Sequence, residues 1–146
     1  MRVLVAGSKG QLGNELRRCF DSGEAEIGPI PLVYADAVVD YADCDVLDIS
    51  DEDVVEAWFA AHCSYDLVIN AAAMTNVDGC EADEAAAYRV NAHGAEHLAR
   101  ACAACGAKLV HVSTDYVFAG DDSRPRIESD VVRPISAYGR TKWAGE

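Results

Sequence analysis

The chain has 146 residues, 51% of them hydrophobic, which is one domain's worth of polypeptide; a domain of that size buries roughly 68–70% of its unfolded surface, so a true core is available. Twelve Lys plus Arg against 25 Asp plus Glu give a net charge of −13. That balance argues against nucleic acid and anionic membrane surfaces as partners, because both require a basic footprint. No apolar run approaches the ~20 residues of a membrane span, and no basic segment precedes an apolar stretch with a cleavage site, so a cytoplasmic protein is expected.

Strands and helices are predicted in alternation. Residues 2–6 form an apolar run that ends in glycine, the pattern of a strand buried on both faces. Residues 11–20 follow, with Leu12, Leu16, Cys19 and Phe20 at helical spacing. Residues 31–35 read as a second strand entered through Gly28-Pro29, and 38–44 as a short segment leading to 45–48. Ser50 is predicted to cap a helix that runs through Ala61, with Asp51, Glu52 and Asp53 in its first turn, where the helix dipole favours negative charge. Residues 66–70 are the next strand. A long helix is predicted over 82–105, its apolar side made of Ala87, Val90, Gly94, Leu98, Ala101, Cys102 and Cys105, with Gly106 as its C-terminal cap. Residues 108–112 are a further strand, 121–134 a polar loop, and 136–146 the start of another helix. Short alternation of this kind implies a parallel sheet, hence an open, doubly wound α/β domain.

Six cysteines stand at positions 19, 44, 63, 80, 102 and 105. Without a secretory pattern they read as reduced thiols. Only Cys102 and Cys105 have metal or redox spacing, and they lie in an alanine-rich helical stretch with no second such pair, so no metal is expected.

Gly7-Ser8-Lys9-Gly10-Gln11-Leu12-Gly13 follows the first strand and opens the first helix. Gly7 permits a tight turn, Gly10 lets backbone amides approach a pyrophosphate, and Gly13 lets helix and strand pack closely. The helix N-terminus offers unpaired N–H groups to the anion. The lysine precedes the central glycine and no Gly-Lys-Ser/Thr follows, which excludes a Walker loop. Asp36 lies 23 residues past Gly13, at the end of the predicted second strand. A carboxylate there accepts from adenosine ribose hydroxyls and repels a 2′-phosphate, which favours NADH over NADPH. Asp40 and Asp43 compete for that role.

In open parallel sheets ligands sit beyond the carboxyl ends of the strands. Three segments are predicted to end there: Asn70-Ala71-Ala72-Ala73, Ser113-Thr114-Asp115, and the loop leading to Tyr138. Tyr138 and Lys142 have the i, i+4 spacing that places them on one helical face. A free tyrosine titrates near ~10, so proton transfer at neutral pH needs a stabilised phenolate, which a nearby lysine provides.

These segments together resemble the extended short-chain dehydrogenase/reductases. More narrowly, Ala71-Ala72-Ala73-Met74-Thr75-Asn76-Val77-Asp78, Ser113-Thr114-Asp115-Tyr116-Val117-Phe118 and Tyr138-Gly139-Arg140-Thr141-Lys142 are similar to the dTDP-4-dehydrorhamnose reductases. The resemblance implies a Rossmann fold and reduction of dTDP-4-dehydro-L-rhamnose to dTDP-L-rhamnose by NADH or NADPH. It implies that Tyr138 exchanges a proton with the sugar C4 oxygen. Lys142 would lower the tyrosine's pKa and bind the nicotinamide ribose, and Thr114 would hydrogen-bond the reacting carbonyl. Gly10, Gln11 and Leu12 would line the pyrophosphate, Asp36 the adenosine ribose, and Asp45 and Val46 the adenine. Ala72, Ala73, Met74, Thr75 and Val112 would line the cleft, and Thr114 and Asp115 would touch the dTDP-sugar. Met74 departs from the more usual histidine, and Leu12 replaces valine.

Members of this family continue for about another domain's length. The chain is therefore expected to be the dinucleotide-binding part, cut before the substrate domain, binding coenzyme without reducing sugar; a homodimer belongs to the full-length protein. Two other classes fit the same fold: a nucleotide-sugar epimerase or dehydratase, and a non-catalytic reductase-like subunit of the methionine adenosyltransferase type.

Overall fold

The computed structural model describes residues 1–62 and 64–146. Cys63, one of the six predicted thiols, lies outside the described residues. Four parallel strands, β1 (Arg2–Ala6), β2 (Val38–Ala42), β3 (Leu67–Asn70) and β4 (Lys108–His111), form one sheet in the order β2-β1-β3-β4. β1 is central and almost wholly buried. The register sets Leu4 beside Val68 and Val68 beside Leu109, with Asn70 opposite His111 at the carboxyl end.

Successive side chains of a strand point to opposite faces, and both faces of β1 are used. Leu4, Ala6 and Val68 pack with Val55 and Phe59 of α2 (Glu52–Ala61) and Leu98 and Cys102 of α5 (Gly94–Cys105). On the other face α1 (Gln11–Ser22) lays Arg17 4.0 Å over the Tyr41 ring. The sheet is thus covered from both sides, as the alternation of elements predicted.

Several local expectations change. Residues 31–35 are not a strand: Leu32–Tyr34 is a 3-10 turn, and Leu32 and Val33 are exposed. The second strand is the segment that follows it. Asp51, not Ser50, caps α2, its side chain accepting from the N–H groups of Asp53 and Val54; the Ser50 hydroxyl is turned to Asp48. A short helix α3 (Val77–Ala82), capped by Asn76, precedes the long one. The predicted helix over 82–105 starts at α4 (Glu84–Tyr88), capped by Asp83, and passes through a π segment, Arg89–His93, into α5. That insertion shifts the helical phase, so Asn91, Ala92 and Ala95 join the buried side while Cys105 is exposed. Gly106 ends α5 as predicted. The final helix, α6 (Ala137–Ala144), is capped by Ser136.

Candidate active site

The order β2-β1-β3 makes the chain reverse direction across β1, and the resulting switch point lies between the carboxyl ends of β1 and β3. A crevice of about 500 Å³ opens there, lined by Gly7, Gly10, Asp43, Ala72, Ala73 and Met74 among others. Gly7 has φ +78, and a Cβ on it would stand 2.5 Å from the Ala72 backbone nitrogen. The two strand ends therefore touch through a glycine because no side chain fits. Gly13 meets the same limit against the turn itself, 2.3 Å from the Gly7 carbonyl oxygen. Gly10 differs. Its φ is −72, open to any residue, and a Cβ there would meet only the Gly7 carbonyl at 3.4 Å. The protein's own packing does not demand this glycine, so the space above it is free for a ligand.

The start of α1 supports that reading. No side chain caps it and no acidic residue stands in its first turn, whereas α2 has both a capping aspartate and two carboxylates. Gln11 and Leu12 are exposed, and the uncapped first-turn amides face solvent with the positive end of the helix dipole.

The carboxylate at the crevice's far wall is Asp43. Its oxygens accept from Lys9 N–H at 2.8 Å and Cys44 N–H at 2.9 Å. Burial pushes the Asp43 carboxyl upward, but these backbone donors outweigh it and hold it below the usual carboxylate range. Asp45 pairs with the Lys9 ammonium at 2.7 Å, and Val46 is exposed beside it. Asp36 is elsewhere. It precedes β2, whose first residue pairs with Arg2, and so lies at the amino edge of the sheet, one strand length from the glycine turn. Its expected place at a strand's carboxyl end rests on a strand over 31–35; with β2 over Val38–Ala42, the residue just past that end is Asp43. Asp40 is occupied by Arg2 and by the Tyr65 hydroxyl.

Tyr138 and Lys142 occupy the same carboxyl edge. Tyr138 is half-buried, packs with Met74 on Cys80, Ala87 and Ala137, and meets the Tyr116 ring edge-on at 5.5 Å. Met74, which lines the crevice, and Tyr138 thus share one buried cluster. Thr114 lies three residues past β4 and caps a 3-10 turn, accepting from Tyr116 N–H at 3.2 Å; Asp115 beside it is exposed. Lys142 is 2% exposed and donates to the Val112 carbonyl at 2.6 Å. Burial pulls its pKa down to about 8, with Glu146 opposing. Thr75 is exposed just past Met74.

Residues not singled out in the sequence hold these groups. Asn91, 1% exposed, accepts from Met74 N–H at 2.8 Å and donates to the Met74 carbonyl and to Thr141 Oγ1, both at 3.1 Å. Thr141 Oγ1 in turn donates to the Tyr138 carbonyl. One amide thus ties the crevice wall to the tyrosine helix. Glu81 accepts from Ala137 N–H at 2.7 Å, and Arg140 forks onto Glu84. The only sequence signal for Asn91 is a polar residue on the apolar stripe that includes Ala87 and Leu98. Among the described residues no group of three or more His, Cys, Asp or Glu is placed to hold a metal ion, and no helix is long and apolar enough to cross a membrane.

A parallel sheet wrapped on both faces, with a glycine turn at its switch point, defines an α/β domain of Rossmann type. Residues 1–146 match the family described as the RmlD substrate binding domain, and the chain belongs to it. It is 42% identical over 151 residues to a dTDP-4-dehydrorhamnose reductase of Mycobacterium tuberculosis, covering 99% of this chain and 44% of that protein. Among solved structures it is similar to a dTDP-4-dehydrorhamnose reductase of Clostridium acetobutylicum, with a TM-score of 0.87 and 38% identity over 99% of this chain and 47% of that one. The same enzyme from Bacillus anthracis, in complex with NADP, gives a TM-score of 0.84 and 35% identity over 99% and 47%. The chain spans less than half the length of these relatives.

Proposed function

We propose that these residues form the coenzyme-binding half of a reductase that converts dTDP-4-dehydro-L-rhamnose to dTDP-L-rhamnose using NADH or NADPH. One observation carries this reading: an uncapped, acid-free helix start under a sterically free Gly10, in a crevice lined by Met74, which packs against the same buried cluster as Tyr138. Family membership and the names of the relatives support the substrate class.

When bound, the coenzyme supplies the hydride. Gln11 and Leu12 present first-turn amides to its pyrophosphate over Gly10. Asp43 and Asp45 take the adenosine end in place of Asp36. Two carboxylates against the single Lys9 there favour NADH, because they repel a 2′-phosphate. Tyr138 Oη gives its proton to the sugar C4 oxygen, Thr114 Oγ1 donates a hydrogen bond to the same oxygen, and Lys142 holds the ribose and stabilises the phenolate. The 146 residues hold the coenzyme crevice, and coenzyme binding without turnover is expected of them.

Calorimetric titration of the 146-residue chain with NADH and with NADPH is expected to show saturable binding, tighter for NADH. Gly10→Ala is expected to fold like the parent and to bind about tenfold more weakly, ~1.4 kcal/mol. Adding dTDP-4-dehydro-L-rhamnose is expected to leave nicotinamide absorbance unchanged. A folded chain that binds neither coenzyme overturns the reading.

A further inference from the structure

His111, at the carboxyl end of β4, is a titratable side chain for which the proposed reduction has no task. The parallel register sets it opposite Asn70, which is 1% exposed. The Asn70 amide is fixed in orientation, because Oδ1 accepts from Ala72 N–H at 3.0 Å. Its Nδ2 then faces His111 Nδ1 at 3.0 Å. An amide nitrogen can only donate, so Nδ1 must accept, and a neutral ring carries its proton on Nε2. Nε2 points at Lys142 Nζ, 3.4 Å away, while Nζ donates to the Val112 carbonyl. An ammonium has three donors and no acceptor. Facing Nε2–H, it meets a second donor, whereas a neutral amine offers a lone pair.

We propose that Asn70 and His111 are positioning residues for Lys142: they lock the imidazole proton on Nε2, aim a donor at the lysine, and weaken the ammonium's hold on its proton while Nζ stays on the Val112 carbonyl. The chain Ala72–Asn70–His111–Lys142 starts at the wall of the crevice, so the backbone that would receive a coenzyme is coupled to the charge of the lysine. Burial acts in the same sense on both groups, pulling His111 to about 4 and Lys142 to about 8. Among the charged and titratable neighbours, Glu146, two residues past α6, opposes, favouring the ammonium, and is itself engaged by the Ser113 hydroxyl. Glu96 of α5 lines the groove that His111 and Glu146 share, and Tyr138 stands one turn before Lys142. β3 contributes only the uncharged Asn70. The relay's use in catalysis rests on the function proposed above; the relay itself does not.

The test uses the 146-residue chain without coenzyme or sugar. Nitrogen NMR of labelled histidine, at a pH where the ring is neutral, is expected to show Nε2–H and a bare Nδ1 for His111. Asn70→Ala frees the tautomer without adding charge, letting Nε2 accept from an ammonium. Asn70→Asp accepts from both Ala72 N–H and Nδ1–H and drives the flip. The titration of Lys142, read by NMR of its labelled Nζ, is expected to move up by about one unit in both variants, tenfold in proton affinity. A pure field effect of the new carboxylate would raise it in Asn70→Asp alone and overturn the proposal. So would Nδ1–H in the parent, a measurement that needs no variant to fold. Failure of coenzyme binding with the Nε2–H tautomer present sinks the proposed function and leaves the relay standing.

Discussion

At neutral pH the folded chain holds His111 uncharged and Lys142 in a site that disfavours its proton, and both facts have a consequence for stability. In the unfolded chain histidine titrates near 6.5, whereas in the fold burial first, then Lys142, bring His111 to about 4. Between those values the unfolded chain binds a proton that the native state refuses, so stability falls as pH drops from 6.5 toward 4. Lys142 behaves alike in its own range: from 10.5 down to about 8 the unfolded chain alone holds the proton, and stability declines with falling pH through that window. For His111 the loss at pH 5 is about 2 kcal/mol relative to neutral pH. Urea unfolding at pH 7 and pH 5 is expected to show that difference in the parent. His111→Leu removes it, leaving only the slope from carboxylates; an unchanged slope in the variant would place the acid sensitivity elsewhere. Tyr138 and Lys142 could be read from the sequence, because their spacing alone puts them on one helical face. His111 could not. Its partner Asn70 is 41 residues away and becomes a neighbour only through strand register.

Helix α6 has eight residues, shorter than the roughly 12 that hold alone in water, yet it carries both proposed catalytic side chains. Its position is imposed by neighbours: Glu81 of α3 on its first N–H, Glu84 of α4 on Arg140, and Asn91 of the π segment on Thr141. The Arg140–Glu84 pair is exposed and contributes little, and Glu81 reaches the buried Ala137 N–H from an exposed position. Asn91 is buried, and its loss strands the Met74 N–H and leaves the Met74 carbonyl only the weak Cys80 thiol donor. Each buried unsatisfied group costs about 1–3 kcal/mol. Asn91→Leu is therefore expected to lower the free energy of unfolding by about 3 kcal/mol and to speed amide exchange in α6 and at Met74 together, measured by hydrogen-exchange mass spectrometry. Faster exchange in α6 alone would mean that the two are not tied through this side chain. Element identity was mostly legible from period and caps. The failures have local causes. Pro31-Leu32-Val33-Tyr34-Ala35 is apolar enough for a strand, but its side chains point to solvent. The true β2, by contrast, carries Asp40 mid-strand because Arg2 pairs with it and the Tyr65 hydroxyl donates to it. The π segment has no sequence period of its own and was read as continuous α-helix. Placing β2 over 31–35 instead of Val38–Ala42 is what puts Asp36, and not Asp43, at the predicted strand end.

The sheet is covered unequally. α2 and α5 bury one face from β1 to β4. On the other face α1 sits over Tyr41 of β2, while Val110 and Val112 beyond β3 are 48% and 38% exposed. β4 is also paired on one side only, and an exposed apolar strand at a sheet edge is a template for self-association. The net charge of −13 opposes that association. At 0.01 M salt the Debye length is about 30 Å and two such chains repel at a distance comparable to their own size; at 0.15 M it is about 8 Å and the repulsion reaches only to contact. Sedimentation velocity is expected to give a monomer at low salt and concentration-dependent association as sodium chloride rises. Val110→Lys puts a charge on the exposed face at a site where stability changes by no more than about 0.5 kcal/mol, and is expected to keep the chain monomeric throughout. Association that persists in the variant, or that weakens with salt, would locate the contact among opposite charges instead of on this face.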